Sequence, residues 1–279
     1  MKRSMLGVVS VLALAIAAPM GAANAADMAV KAPPPVAPAY FNWTGFYVGA
    51  NFGGAWAISS DTGSSLFDVP GVGTFPTTTS GSFGAGGVVG GGQIGANYQF
   101  PNSHWVIGVE ADIDGSNLSG HGNECSLNAA GVFVGCAGIN TKYNDFGTVR
   151  GRLGYAGDNL LLYGTGGWAW GEATTSSALN CAITPAAGAC PGASLALTGG
   201  SASASTTATN GWAAGAGLEY AFARNWAIRA EYLHVEFDGV GQTFASSGTV
   251  AGAPFTLTTN SSATTKIDMA RFGLNYIFH

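Results

Sequence analysis

The chain has 279 residues, of which 47% are hydrophobic and 9% charged, with 44 Gly and Lys+Arg 10 against Asp+Glu 15. An ordinary soluble domain is about 25% charged and about 7% Gly. So few charges exclude a charged disordered tail, the missing basic excess disfavours nucleic acid as a partner, and a membrane protein or a loop-rich β protein remains.

Lys2 and Arg3 precede an apolar run over 6–18, and Ala23, Asn24 and Ala25 supply a small-x-small cleavage pattern. This predicts a secretory signal peptide over 1–25. The apolar run is shorter than the about 20 residues that a spanning helix needs. Removing Lys2 and Arg3 takes the basic count from 10 to 8 against 15 acids, net −7. Residues 26–42 hold Pro33, Pro34, Pro35 and Pro38. Such a stretch cannot form a helix or a central strand, so it reads as an extended periplasmic tether.

Residues 43–279 show stretches of alternating hydrophobicity with aromatic ends, at 43–57, 85–100, 104–116, 142–155, 159–171, 210–223, 225–237 and 265–278. Period-2 alternation marks strands whose two faces meet different surroundings. Three connections are tight: Pro101 to Ser103, Ala156 to Asp158, and the step at Arg224. Four are long, at 58–84, 117–141, 172–209 and 238–264. Long and short alternate, which is rare in compact soluble domains and usual in outer-membrane barrels. No Pro falls inside a proposed strand, as an unbroken ladder requires. The expectation is an all-β fold: an eight-stranded antiparallel transmembrane β-barrel over 43–279, with four long mobile external loops and three short periplasmic turns.

Taking alternate residues separates the faces. Phe46, Val48, Ala50, Phe52 and Trp56 oppose Tyr47, Gly49, Asn51 and Gly53. Trp105, Ile107, Val109, Ala111 and Ile113 oppose Gly108, Glu110, Asp112 and Asp114. Trp105 and Trp226 on the turn side, and Trp56, Trp168, Trp170 and Trp212 on the loop side, predict two aromatic belts. The other face receives Glu110, Asp112, Glu219 and Glu231, together with Arg150, Arg152, Arg229 and Arg271. A barrel of eight strands has room inside for little beyond side chains. Buried charges there must pair, so these eight residues are expected to form an ion-pair network that plugs the lumen, with Gly49, Gly108, Gly215 and Gly273 leaving room for the arginines. A gated ion path through the same charges is the alternative.

Cys125 and Cys136 lie in the second long loop, Cys181 and Cys190 in the third. Export permits disulfides, and proximity favours Cys125 with Cys136 and Cys181 with Cys190 among three possible pairings, each worth about 3 kcal/mol by chain entropy. Zinc is disfavoured, because no C-x-x-C exists and His121 lacks a partner at ligand spacing. The run from Gly90 to Gly95 matches G-x-G-x-x-G without a following helix, so it reads as strand glycine. His104, His234 and His279 read as solvated or interfacial residues. No cofactor is expected, and no catalytic motif supports an enzyme, a lipid-modifying enzyme being the minor alternative.

Trp43-Thr44-Gly45-Phe46-Tyr47-Val48-Gly49 after a Pro-rich stretch resembles the opening of small alphaproteobacterial outer-membrane proteins, the outer membrane immunogenic or porin-like family. So do Tyr163-Gly164-Thr165-Gly166-Gly167, Glu231-Tyr232-Leu233 and the closing stretch from Arg271 to Phe278. The resemblance covers about residues 40–279 and implies a fold similar to the OmpA transmembrane domain and an abundant, surface-exposed envelope protein. Phe272, Leu274, Tyr276 and Phe278 look like the terminal assembly signal read by the barrel-assembly machinery, although His279 follows Phe278. The combined expectation is a structural protein of the Gram-negative outer membrane that presents surface antigens. Its expected partners are outer-membrane lipids, the assembly machinery and host or environmental surface ligands. A small porin-like channel is the alternative.

Overall fold

A computed structural model describes residues 41–71, 73–128, 133–179, 197–198, 203–250 and 253–279. Among these residues, nine strands form one antiparallel sheet: β1 (Gly45–Val69), β2 (Gly73–Gln99), β3 (Trp105–Asn128), β4 (Phe133–Ala156), β5 (Leu160–Leu179), β6 (Leu197–Thr198), β7 (Ser203–Ala223), β8 (Trp226–Val250) and β9 (Ala253–Phe278). Each sequence-adjacent pair from β1 to β5 is hydrogen-bonded, β5 pairs with β7, β7 with β8, and β8 with β9. β9 then returns to β1, with Phe46 opposite Phe278 and Asp68 opposite Thr256. The sheet therefore closes into a ring. The two-residue β6 adds only to the far end of β8, with Leu197 opposite Val250.

The tight turns lie at residues 100–104, 157–159 and 224–225. Asn102 takes φ 56°, a left-handed conformation that Asn adopts more readily than most other non-Gly residues. At the opposite end the strands run far beyond the expected limits. The stretch 58–84 is a hairpin whose ladder continues to Val69 opposite Gly73, and β3 with β4 and β8 with β9 continue likewise. This corrects the reading of 58–84, 117–141 and 238–264 as loops: they are largely ladder. It also puts Pro76 inside β2 and Pro254 inside β9. Pro76 lies just past Thr77, the last β2 residue paired with β3, and Pro254 lies past Thr256, the last β9 residue paired with β1. Each proline therefore has a strand on one side only, where its missing N–H is tolerated.

The pleat sends Phe46, Phe52, Ile94, Val109, Ile113 and Phe272 outward, all exposed. Inside, buried residues form layers. Trp43, Tyr47, Val106, Leu161, Ala221 and Ile277 make an apolar layer at the turn end. A second layer, including Val89, Leu118, Phe146, Leu233, Phe237, Ile267 and Met269, lies toward the hairpins. Trp43, expected at the start of the first strand, precedes β1 and is fully buried in the turn-end layer.

The charged lumen as candidate functional site

Between the two apolar layers the inward positions of five strands carry charge. β3 contributes Glu110, Asp112 and Asp114, β4 contributes Arg150 and Arg152, β7 Glu219, β8 Arg229 and Glu231, and β9 Arg271. All are buried. They are placed by parity alone, because successive residues of a strand point to opposite faces.

Arg150 Nη2 donates to Glu110 Oε1 at 2.6 Å and to Asp112 Oδ2 at 2.7 Å, while its Nη1 lies 3.2 Å from Glu231 Oε1. Arg229 donates to Glu110 Oε2 at 2.6 Å and to Glu231 Oε1 at 3.0 Å. Arg271 donates to Glu231 Oε1 at 2.5 Å and to Asp112 Oδ1 at 3.2 Å, and also pairs with Asp114. Arg152 donates to Glu219 Oε1 at 2.7 Å and lies over the Tyr163 ring at 3.9 Å. The ring interior thus brings together all eight charged residues singled out from the sequence. Three guanidiniums converge on one oxygen of Glu231, an arrangement that water would weaken and a dry interior strengthens.

Several members were not singled out. Asp114 has the parity of Glu110 and Asp112, and a balanced set of four acids and four arginines hid it. Tyr47 donates to Glu110 Oε2 at 2.6 Å and accepts from Arg152 Nη1 at 2.8 Å. Tyr163 donates to Glu231 Oε2 at 2.8 Å, and Thr148 donates to Asp112 Oδ2 at 2.6 Å. Alternation had already turned Tyr47 inward, and that was the available signal.

The glycines divide. A Cβ at Gly273 would lie 2.9 Å from Arg229 Cγ, and one at Gly108 would lie 3.0 Å from Arg152 Cγ. Those two do make room for arginine. Gly49 instead faces Asn275 and Gln93, and Gly215 faces Leu233, which corrects the expectation for that pair.

Elsewhere, the run from Gly90 to Gly95 lies wholly in β2. Cys125 and Cys136 are Cα partners in the β3–β4 ladder, whereas Cys181 and Cys190 lie outside the described residues, as do 1–40. Phe272, Leu274 and Phe278 are exposed on β9, and the Tyr276 ring makes edge contacts with those of Trp226 and Phe278. His104 bonds the Ala156 carbonyl at 2.8 Å, and the His279 ring lies within bonding distance of the Thr44 and Arg224 carbonyls. Among the described residues, no group of three or more His, Cys, Asp or Glu is arranged to hold a metal ion.

A ring of antiparallel strands with an apolar outside and a charged inside has counterparts among known proteins. Residues 10–278 match the family model described as outer membrane protein beta-barrel domain. The chain belongs to this family. It is 38% identical over 242 residues to the 31 kDa outer-membrane immunogenic protein of Brucella melitensis, covering 81% of this chain and 86% of that protein. It is 28% identical over 147 residues to the 22 kDa outer membrane protein of Rhizobium leguminosarum, covering 53% and 52%. Among solved structures, OprG from Pseudomonas aeruginosa aligns over 85% of this chain and 99% of its own at 12% identity, with a TM-score of 0.35. The resemblance to alphaproteobacterial outer-membrane proteins is thereby shown, and the family places the chain among outer-membrane β-barrel proteins.

Proposed function

We propose that this family member is a structural outer-membrane barrel. Eight of its strands cross the bilayer, and its lumen is plugged. The observation that carries this reading is the convergence of Arg150, Arg229 and Arg271 on Glu231 within a layer closed by apolar side chains on both sides. An ion path needs charges that bind a passing ion and release it. Here the charges are occupied with one another.

On this reading, residues 1–25 are removed on export and residues 26–42 form a periplasmic tether. The tight turns face the periplasm and the long hairpins face outside, where they stabilise the envelope surface and present epitopes. The name of the Brucella relative supports the antigen role. The C-terminal aromatics serve as the assembly signal. Cys125 and Cys136, opposed in the ladder, form a disulfide, and Cys181 pairs with Cys190. Intact mass before and after alkylation checks this: unreduced mature protein should take up no reagent, and uptake at four cysteines would contradict it.

Single-channel recording of refolded protein tests the plug. The expected record is a silent bilayer. Reproducible discrete openings in the wild type would replace the plug with a pore.

A further inference from the structure

Among the described residues, a polar cluster lies on the outward face between Trp212 and Trp56. On β8, Tyr232, His234 and Glu236 point outward, and on β9 so do Lys266 and Asp268; Ala214 opposes His234, Trp212 opposes Glu236, and Trp56 opposes Asp268. His234 Nδ1 donates to Asp268 Oδ1 at 2.7 Å, and the Tyr232 hydroxyl donates to the same oxygen at 2.5 Å. Lys266 Nζ lies 3.4 Å from Glu236 Oε1, with 54% of the lysine side chain exposed. His234 Nε2 lies 3.9 Å from Glu236 Oε2, and its ring rests 5.4 Å from that of Trp212.

Ionisable groups on an outward barrel face are costly at the bilayer midplane and tolerated toward the interface. This cluster is also organised. Asp268 holds the imidazole in one tautomer with Nε2 turned away, and Lys266 is loosely paired and open. Two carboxylates and one lysine, with an imidazole between them, give no net cationic excess, which does not suit a purely anionic headgroup. They do suit a zwitterion: a phosphate on Lys266, and a primary ammonium that donates to Glu236 and Asp268 while resting on the Trp212 face. The outward hydroxyls nearby belong to Tyr232, which is bonded to Asp268, and to Thr264 and Ser60 one pleat further along β9 and β1. The imidazole is bonded to Asp268 and to none of these hydroxyls, so the geometry favours binding over turnover.

We propose that His234, Glu236, Lys266 and Asp268 form a binding site for a phospho-ammonium lipid headgroup at the hairpin-side membrane interface. The site rests on the membrane-spanning reading above. Its chemistry is shared by an ethanolamine glycerophospholipid and by a phosphoglycolipid decorated with ethanolamine.

The test reconstitutes the full mature chain into vesicles containing equal parts of phosphatidylethanolamine, phosphatidylcholine and phosphatidylglycerol, then identifies retained lipids by native mass spectrometry. Parallel vesicles carry lipid A with or without phosphoethanolamine, to separate the two sources. Wild type should retain the primary-ammonium lipid in about fivefold excess over the other two, as suits rim-exposed ion pairs. The double variant Glu236→Gln, Asp268→Asn should lower that excess to parity. Because these groups point outward, the variant should keep the heat-dependent gel mobility of a folded barrel. Lack of preference in wild type, preference for phosphatidylglycerol, or preference unchanged in the variant each overturns the site. Release of fatty acid or headgroup would replace binding with catalysis. A barrel that shifts on the gel but shows no preference sinks this inference alone, whereas loss of the shift sinks the membrane reading.

Discussion

Toward the turn end, inward positions carry long charged side chains, and Arg271 on β9 reaches Asp112 and Asp114 on β3 as well as Glu231 on β8. Toward the hairpins, inward positions carry hydroxyls that mostly bond one neighbouring strand. Ser59 meets Thr265 at 3.1 Å, Ser65 meets Thr259 at 2.8 Å and Thr141 meets Thr175 at 3.1 Å. Tyr143 is the longer reach, from β4 to Thr265 on β9 at 3.1 Å. A guanidinium with five donors can serve several strands at once, while a hydroxyl pair serves two. The same pleat thus gives a cross-braced girdle below and a stack of local fastenings above.

The widest contrast should come from Arg271→Ala, which strands Glu231, Asp112 and Asp114 and should cost about 3–5 kcal/mol. Arg224→Ala, at an exposed turn position, should stay within about 0.5 kcal/mol. Urea midpoints followed by tryptophan fluorescence decide, and equal midpoints would erase the distinction. Tyr47→Phe removes a hydroxyl that serves Glu110 and Arg152 together, and about 1.5–3 kcal/mol is expected in the same assay.

Gly273→Ala probes the girdle through its packing. Its Cβ would crowd Arg229 Cγ at 2.9 Å, whereas one at Gly86 meets nothing within 4 Å. The first substitution should lower stability by about 1–3 kcal/mol and Gly86→Ala should be near neutral. In the hairpin region, Ser65→Ala should cost about 0.5–1.5 kcal/mol. A loss as large as that of Arg271→Ala would mean that the hairpins are braced as tightly as the girdle.

The sequence was legible where the two faces meet different solvents. Phe46 to Trp56 alternate with Tyr47 to Gly53 because lipid selects one set and the lumen the other, so face and charge could be read residue by residue. Beyond Ile58 the chain runs Ser59, Ser60, Asp61, Thr62, Gly63 and Ser64. Both faces there are small and polar, alternation vanishes, and a continuing ladder reads as a loop. Trp43, expected to open the first strand, marks a related limit. An aromatic just ahead of a strand continues the alternation as well as one inside it, and only packing with Tyr47, Leu161 and Ile277 places it in the turn-end layer. Asp114 shows a different limit, since parity gives the direction of a side chain and not the number of its partners.

The cylinder must stay closed in detergent or lipid, and gel mobility with and without boiling reports on that closure. The unboiled mature protein should run at a different apparent mass from the boiled one, with Arg271→Ala losing that difference at a lower temperature than wild type. Identical migration of boiled and unboiled wild type would contradict the closed barrel.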